Sequence, residues 1–360
     1  MKKLICFLSA VVIAAASAPW ALAEEPPEGI SAEAYIVTDD MGGVVFSRSP
    51  DKKMQPASTA KLLTALVAVE NAPLEKTITV KAEHTVTEGS MLYLRVGETL
   101  SLSDLLYGLL LASGNDAALA VAELVSGSTE DFVGLMNAKA AELGMDSSRF
   151  SNPSGLPDEG CYTTARDMAK LIAAFAENET AAKISGTREN VCAGRTIVNH
   201  NRLLNTVEGV DCGKTGYTKS AGRCLVTTAK RMGRRIYVVT FNAPDDWADH
   251  AALYSAAFAR YGCVELGGFL PAAQQIVGAT RTEARLTAAV VPEICLTQSE
   301  REALCSVTYM RRFEYAPVKA GDFAGRTEIY CGEKLIFTVK LYFAENAVSG
   351  KFSGRYLSAA

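Results

Sequence analysis

The chain has 360 residues, 49% of them hydrophobic and 21% charged, with 36 Lys and Arg against 40 Asp and Glu for a formal charge of -4. Length and apolar content support one large domain with a smaller companion and exclude a disordered chain. The mild acidity supplies no basic patch for phosphates or anionic lipids, which excludes nucleic acid as a partner.

In chain order, Lys2 and Lys3 give a positive start, Leu4 to Ala18 an apolar stretch, and Ala21-Leu22-Ala23 a small-residue cleavage site. This is the pattern of a secretory signal peptide over residues 1–23, so the mature chain is expected to be exported, to begin at Glu24 and to carry a charge of -6. About 15 apolar residues followed by Pro19 fall short of the roughly 20 that a membrane-spanning helix needs. Cys6 lies too early in the run to be a lipid-attachment site. Eight cysteines remain: Cys161, Cys192, Cys212, Cys224, Cys263, Cys295, Cys305 and Cys331. Export permits disulfides, no pair has metal-ligand spacing, and some pairing is expected without any connectivity being assigned.

Residues 24–29, with Pro26 and Pro27, read as a stiff linker. Apolar runs at Ala34 to Thr38 and Val44 to Ser47, joined through Asp39-Asp40-Met41-Gly42-Gly43, predict a hairpin. From Ser58 onward, Lys61, Leu62, Leu63, Leu66, Val67 and Val69 fall at helical spacing, and Pro56 precedes them, so Ser58 is placed at a helix N-terminus. Helical patterns follow at Leu102 to Leu111 and Ala117 to Leu124, broken by Ser113-Gly114-Asn115, then at Asp131 to Leu143 and Thr164 to Ala176. Strand patterns return after Lys214, at Cys224 to Ala229 and Arg235 to Asn242, followed by a helix near His250 to Tyr261. This order predicts an α+β domain over residues 30–263, an antiparallel sheet flanked by a helical block. Short β-like runs at Arg285 to Val291, Ser306 to Phe313, Arg326 to Tyr330 and Lys334 to Phe343 predict a small all-β domain over 264–346. A tail is placed at 347–360; its residues Ser349 to Ala360 lack the apolar periodicity of a membrane-surface helix, and contact with a membrane is left open.

Three short motifs carry chemistry. In Ser58-Thr59-Ala60-Lys61 the spacing of three sets hydroxyl and amine about 60° apart on a helix, so Lys61 can take the Ser58 proton if burial and a second cation keep it partly neutral. Ser49-Pro50-Asp51-Lys52 has the same spacing but lies in a Pro-Asp turn without a helix to align it, and is read as chance. Ser113-Gly114-Asn115 marks a helix break whose side chains can face a cleft, and Lys214-Thr215-Gly216 is placed just before a strand whose edge could pair with an extended peptide. Each motif alone is bland. Their order around a helix-start serine is specific.

On these residues the chain resembles the serine-type D-alanyl-D-alanine carboxypeptidases among the low-molecular-mass penicillin-binding proteins. The likeness extends to Pro56-Ala57-Ser58-Thr59-Ala60-Lys61-Leu62-Leu63-Thr64, to Asp104-Leu105-Leu106-Tyr107-Gly108 running into Ser113-Gly114-Asn115-Asp116, to Asn152-Pro153-Ser154-Gly155-Leu156, to Thr164-Ala165-Arg166-Asp167-Met168 and to Lys214-Thr215-Gly216-Tyr217-Thr218. It implies that Ser58 attacks the bond between two D-alanines of a peptidoglycan stem peptide, with Lys61 as base and Ser113 as proton relay. It further implies that Asn115 holds the substrate amide, that Lys214 and Thr215 bind the terminal carboxylate, and that the backbone amides of Ser58 and Tyr217 form the oxyanion hole, while Gly216 leaves room for the peptide beside the strand. β-Lactams are then expected as inhibitors that acylate Ser58, with no cofactor or metal. Cys161 stands where many relatives carry a histidine and is expected to be semi-exposed or disulfide-bonded; Cys212-Gly213 also departs from the family pattern.

The alternatives are a β-lactamase and a non-catalytic β-lactam or peptidoglycan sensor. No Glu between Ser113 and Lys214 has an Asn four residues on, as the first would need, and an intact nucleophile set argues against the second. The chain has no Gly-x-Ser-x-Gly and no His-Glu-x-x-His, and His84, His200 and His250 are expected to be surface or structural residues.

Overall fold

Two apolar runs joined by a turn at Gly42-Gly43 make Ala34–Asp39 (β1) and Val44–Arg48 (β2) an antiparallel hairpin, β1 buried almost throughout and β2 largely exposed. A computed structural model of the chain describes residues 26–350. The predicted signal peptide, most of its junction with the linker, and residues 351–360 of the tail lie outside the described residues. The chain divides into two units, with the break between Ala259 and Arg260 against a sequence boundary at 263/264.

In the first unit the hairpin leads to a one-turn 3-10 helix, Ala57–Ala60, and then to α1, Lys61–Asn71. Short elements follow at Thr77–Thr79 (β3), Ala82–Thr85 (α2) and Thr99–Ser101 (β4). The helical block is Leu102–Leu110 (α3), Asn115–Ser126 (α4), Thr129–Glu142 (α5), Ala165–Glu177 (α6) and Glu179–Ser185 (α7). An exposed ribbon, Glu189–Cys192 (β5) with Arg195–Val198 (β6), and the turn Leu203–Thr206 (α8) lead to Val210–Thr218 (β7), Gly222–Arg231 (β8), Arg234–Phe241 (β9) and Asp246–Phe258 (α9). The sheet runs β2-β1-β9-β8-β7, antiparallel throughout, so β7 is an edge strand. Helix α1 is apolar over Leu62 to Ala68 except for Thr64 and is accordingly buried in the core shared with α3, α4, α5 and α6. Side-chain caps set several starts: Ser101, Ser128 and Thr164 each accept an amide hydrogen bond from the third residue beyond them.

The second unit is β-rich: Gly262–Glu265 (β10), Ala273–Val277 (β11), Glu283–Ala288 (β12), Glu293–Leu296 (β13), the single-turn helix Gln298–Glu302 (α10), Leu304–Met310 (β14), Phe313–Tyr315 (β15), Phe323–Cys331 (β16) and Lys334–Phe343 (β17). Its larger sheet has the order β14-β16-β17-β12-β11-β15, and β10 pairs with β13, where Cys263 faces Cys295 and is disulfide-bonded to it.

Four expectations are corrected. Ser58 begins no α-helix: it sits in the tighter 3-10 turn, because Ala57 enters it with a left-handed φ of 48° and the regular helix starts only at Lys61. The Lys214-Thr215-Gly216 motif lies within β7, since pairing with β8 continues through Thr218 opposite Gly222. Cys161 is buried and free, its thiol packed in the core of the first unit with burial raising its pKa. Residues 347–350 are tied to the β-rich unit, with Ala347 bridging Val318 and Ser349 bridging Ala279. The short strands and one-turn helices escaped the sequence reading because three to five residues carry too little periodicity to register.

Candidate active site

The 3-10 turn is built under local strain. Thr59 donates its amide (3.2 Å) and its hydroxyl (2.5 Å) to the Pro56 carbonyl, closing the turn on both sides of Ser58. Ala57, one residue before, holds a positive φ that an L-residue adopts at a cost of about 1 kcal/mol or more. Lys61 follows one turn later, fully buried at 0% exposure.

The Lys61 amine has three neighbours: Ser58 Oγ at 2.9 Å, Asn115 Oδ1 at 2.7 Å and the Ser154 carbonyl at 2.7 Å. Burial, and after it the Lys214 ammonium, pushes this amine well below the usual lysine range, against the opposing pull of Asp116. An amine so placed gives up its proton more readily than an exposed lysine and can then accept one from the serine hydroxyl.

Ser113 and Asn115 come from the break between α3 and α4. Ser113 is buried with φ 61°, the left-handed turn that ends one helix and starts the next. Asn115 opens α4, donates its amide to the Ser90 carbonyl (2.8 Å) and its Nδ2 to the Glu88 carbonyl (2.6 Å), which leaves Oδ1 for Lys61. Asp116 accepts the amides of Leu92 (2.8 Å) and Leu94 (3.0 Å), pinning the loop before β4 against this helix start. Among the described residues the Ser113 hydroxyl has no hydrogen-bond partner, which leaves it available to an incoming group.

Strand β7 delivers the third motif. Gly213, at φ 151°, packs so tightly on β8 that a Cβ would stand 2.4 Å from the Val226 carbonyl. Its amide and carbonyl both bond the buried Ser185 hydroxyl, at 2.9 and 2.7 Å. The Cys212-Gly213 departure thus belongs to a floor in which Cys212 is core and Gly213 is clamped by α7. Lys214 is buried beside it, its amine donating to the Thr215 carbonyl (3.0 Å) and pushed down to about 7 by burial. A Cβ on Gly216 would lie 3.0 Å from the Ser58 amide nitrogen, so the strand runs directly against the turn that carries Ser58. Tyr217 is exposed on the outer edge.

The structure therefore brings Ser58, Lys61, Asn115 and Gly216 together, with Ser113 on the turn that carries Asn115, and Lys214, Thr215 and Tyr217 on the strand that carries Gly216. Sequence reasoning gave no role to the Ser154 carbonyl, because a backbone acceptor has no residue signature; the Asn152-Pro153-Ser154-Gly155 run was the available signal. Asp116 was likewise read only as part of a motif. His84 and His250 are buried and hydrogen-bonded, the latter between Thr227 (2.8 Å) and Thr240 (3.0 Å). Desolvation and then the Lys214 ammonium lower the His200 pKa. Glu83, His84 and Glu123 have ligand atoms within 4.8 Å of one another, but Lys81 pairs with Glu123, and His84 Nδ1 accepts the Lys81 amide at 3.1 Å. That cluster is closed by its own cation.

A buried amine on a serine, beside an edge strand bearing a second buried lysine, defines the class of serine acyl-transfer hydrolases that bind penicillin. The chain belongs to the peptidase S11 family, described as D-alanyl-D-alanine carboxypeptidase, whose pattern matches residues 21–245. It is 36% identical over 259 residues to the D-alanyl-D-alanine carboxypeptidase DacF of Bacillus subtilis, covering 68% of this chain and 67% of that one. Against DacC of Escherichia coli it is 30% identical, covering 94% of this chain and 90% of that protein. Among solved structures, penicillin binding protein 5 from Haemophilus influenzae matches with a TM-score of 0.65 at 25% identity, covering 90% of this chain and 99% of that one. The chain is thus a serine hydrolase of the penicillin-binding class with an α+β domain followed by an all-β region.

Proposed function

We propose that the chain removes the terminal D-alanine from peptidoglycan stem peptides through an acyl-enzyme on Ser58. The observation that carries this reading is the Lys61 amine, buried and 2.9 Å from Ser58 Oγ. Once neutral it has two N–H groups, directed to Asn115 Oδ1 and the Ser154 carbonyl, and one lone pair left for the Ser58 O–H. Ser58 Oγ bonds to the carbonyl carbon between the two D-alanines as its proton passes to Lys61. Ser113 relays that proton to the leaving amine, the C–N bond breaks, and D-alanine departs. Water then cleaves the ester by the reverse relay, returning the proton to Ser58.

The substrate backbone pairs with the outer edge of β7, where Lys214 and Thr215 hold the terminal carboxylate and Asn115 the penultimate amide. The amides of Ser58 and Tyr217 receive the oxyanion, each worth about 3 kcal/mol in such sites. β-Lactams carry an equivalent strained amide and stop at the acyl-enzyme. Export by the N-terminal segment brings the enzyme to its polymer outside the cytoplasm.

The test is a mass-shift assay with benzylpenicillin, together with D-alanine release from diacetyl-Lys-D-Ala-D-Ala, on wild type and Ser58→Ala. Wild type is expected to gain the mass of one penicillin and to release D-alanine; the variant should do neither. Release by the variant at the wild-type rate would remove Ser58 as nucleophile.

A further inference from the structure

Resting on the acyl-transfer reading above, we infer that Asn152 is a positioning residue that holds both ends of the Ser58–Lys61 turn from a single loop. Its Oδ1 accepts four donors: the Ser154 amide (3.2 Å), the Ser154 hydroxyl (2.9 Å), the Gly155 amide (2.7 Å) and the Leu156 amide (3.2 Å). Its Nδ2 donates to the Leu156 carbonyl at 3.0 Å, closing the loop on itself. One side chain therefore fixes the direction of the Ser154 carbonyl, the acceptor 2.7 Å from the Lys61 amine.

The same loop grips the other end of the turn. Gly155 has a φ of 77°, and a Cβ there would lie 1.8 Å from the Ala57 carbonyl, so the loop backbone is packed against the residue that precedes the nucleophile. Between these points Pro153 accepts the Thr64 hydroxyl at 2.7 Å, tying the loop to α1 one turn beyond Lys61. At the N-terminal side Asn137 of α5 anchors it, accepting the Phe150 amide (3.0 Å) and donating to the Phe150 carbonyl (2.7 Å).

The consequence is directional. A neutral amine presents its lone pair to Ser58 only while both N–H groups are held elsewhere, and one of the two holders is the carbonyl that Asn152 orients. Without it the amine can turn, and proton transfer from Ser58 loses its alignment. The charged groups acting on Lys61 are Lys214 from β7 and Asp116 from α4. An aspartate at 152 would keep the acceptor, lose the Nδ2 donor and add a negative charge that favours the protonated lysine.

The experiment measures the second-order rate of Ser58 acylation by benzylpenicillin from pH 5 to 10 for wild type, Asn152→Ala and Asn152→Asp, with melting temperatures taken alongside. Asn152→Ala is expected to lower the high-pH plateau about tenfold or more. Asn152→Asp is expected to move the acid limb up by about half a pH unit or more, a displacement that a purely structural role would not produce. Rates and limbs that overlay wild type in both variants overturn the inference. If Asn152→Ala does not fold, the limb of Asn152→Asp decides alone. Failure of the underlying reading looks different: acylation of Ser58→Ala at wild-type rate, whatever stands at 152.

Discussion

Lys214 is a second buried amine whose charge acts on Lys61, and the proposed mechanism gives the two opposite duties: Lys61 neutral to take a proton, Lys214 charged to hold a carboxylate. Burial depresses both, and the Lys214 charge depresses Lys61 further. Below the pKa of Lys61 the amine is protonated and inert, so acylation rises with pH through that value. Removing the neighbouring positive charge makes protonation easier and raises the pKa. Lys214→Gln is therefore expected to shift the acid limb of penicillin acylation upward by roughly one pH unit, measured from rate against pH. A limb left in place would show that Lys214 acts only on substrate.

At the scale of elements, the site depends on how closely β7 approaches the strained turn. The Gly216 Cβ position lies 3.0 Å from the Ser58 amide and 3.1 Å from both the Ala57 Cβ and the Thr59 amide. No flexible side-chain end is available to yield, and Ala57 is already locked by Gly155 on its other side. Gly216→Ala is expected to push strand from turn by a few tenths of an ångström and to slow acylation about tenfold, because reacting groups lose alignment steeply with displacement. Stopped-flow acylation with a reporter β-lactam, compared at equal melting temperature, checks it. An unchanged rate would mean that the Ser58 turn tolerates the wider gap.

At the scale of the whole molecule the two units are stabilised differently. The first has a continuous core of helix and sheet side chains, whereas the second has small clusters such as Ile276, Ala284, Val318, Phe343 and Ala347. A small core gains most from a covalent staple, and Cys263–Cys295 closes a separation of 32 residues. Loop-closure entropy assigns such a crosslink about 3–4 kcal/mol. The double variant Cys263→Ser, Cys295→Ser is expected to unfold its β-rich unit at lower denaturant, followed by tyrosine fluorescence, while the acylation rate in buffer stays at the wild-type value. None of the site residues lies in 260–350, so a parallel loss of acylation would contradict this independence.

Sequence by itself determined the α+β order, the long helices and the strands around Arg235 to Asn242, because sustained periodicity reports which face is buried, and the hairpin, because its turn residues join two apolar runs. It also picked out the serine, the lysines and the asparagine, by the order of three motifs and the family resemblance that order carries. Only the tertiary structure decided that Ser58 sits in a 3-10 turn, that Lys214 lies inside an edge strand, that Cys161 is buried and free, and that the Ser154 carbonyl completes the surroundings of Lys61. The physical reason is common to all four. Each depends on a contact with chain far away in sequence, or on a backbone atom that every residue possesses, and neither leaves a mark in the order of amino acids.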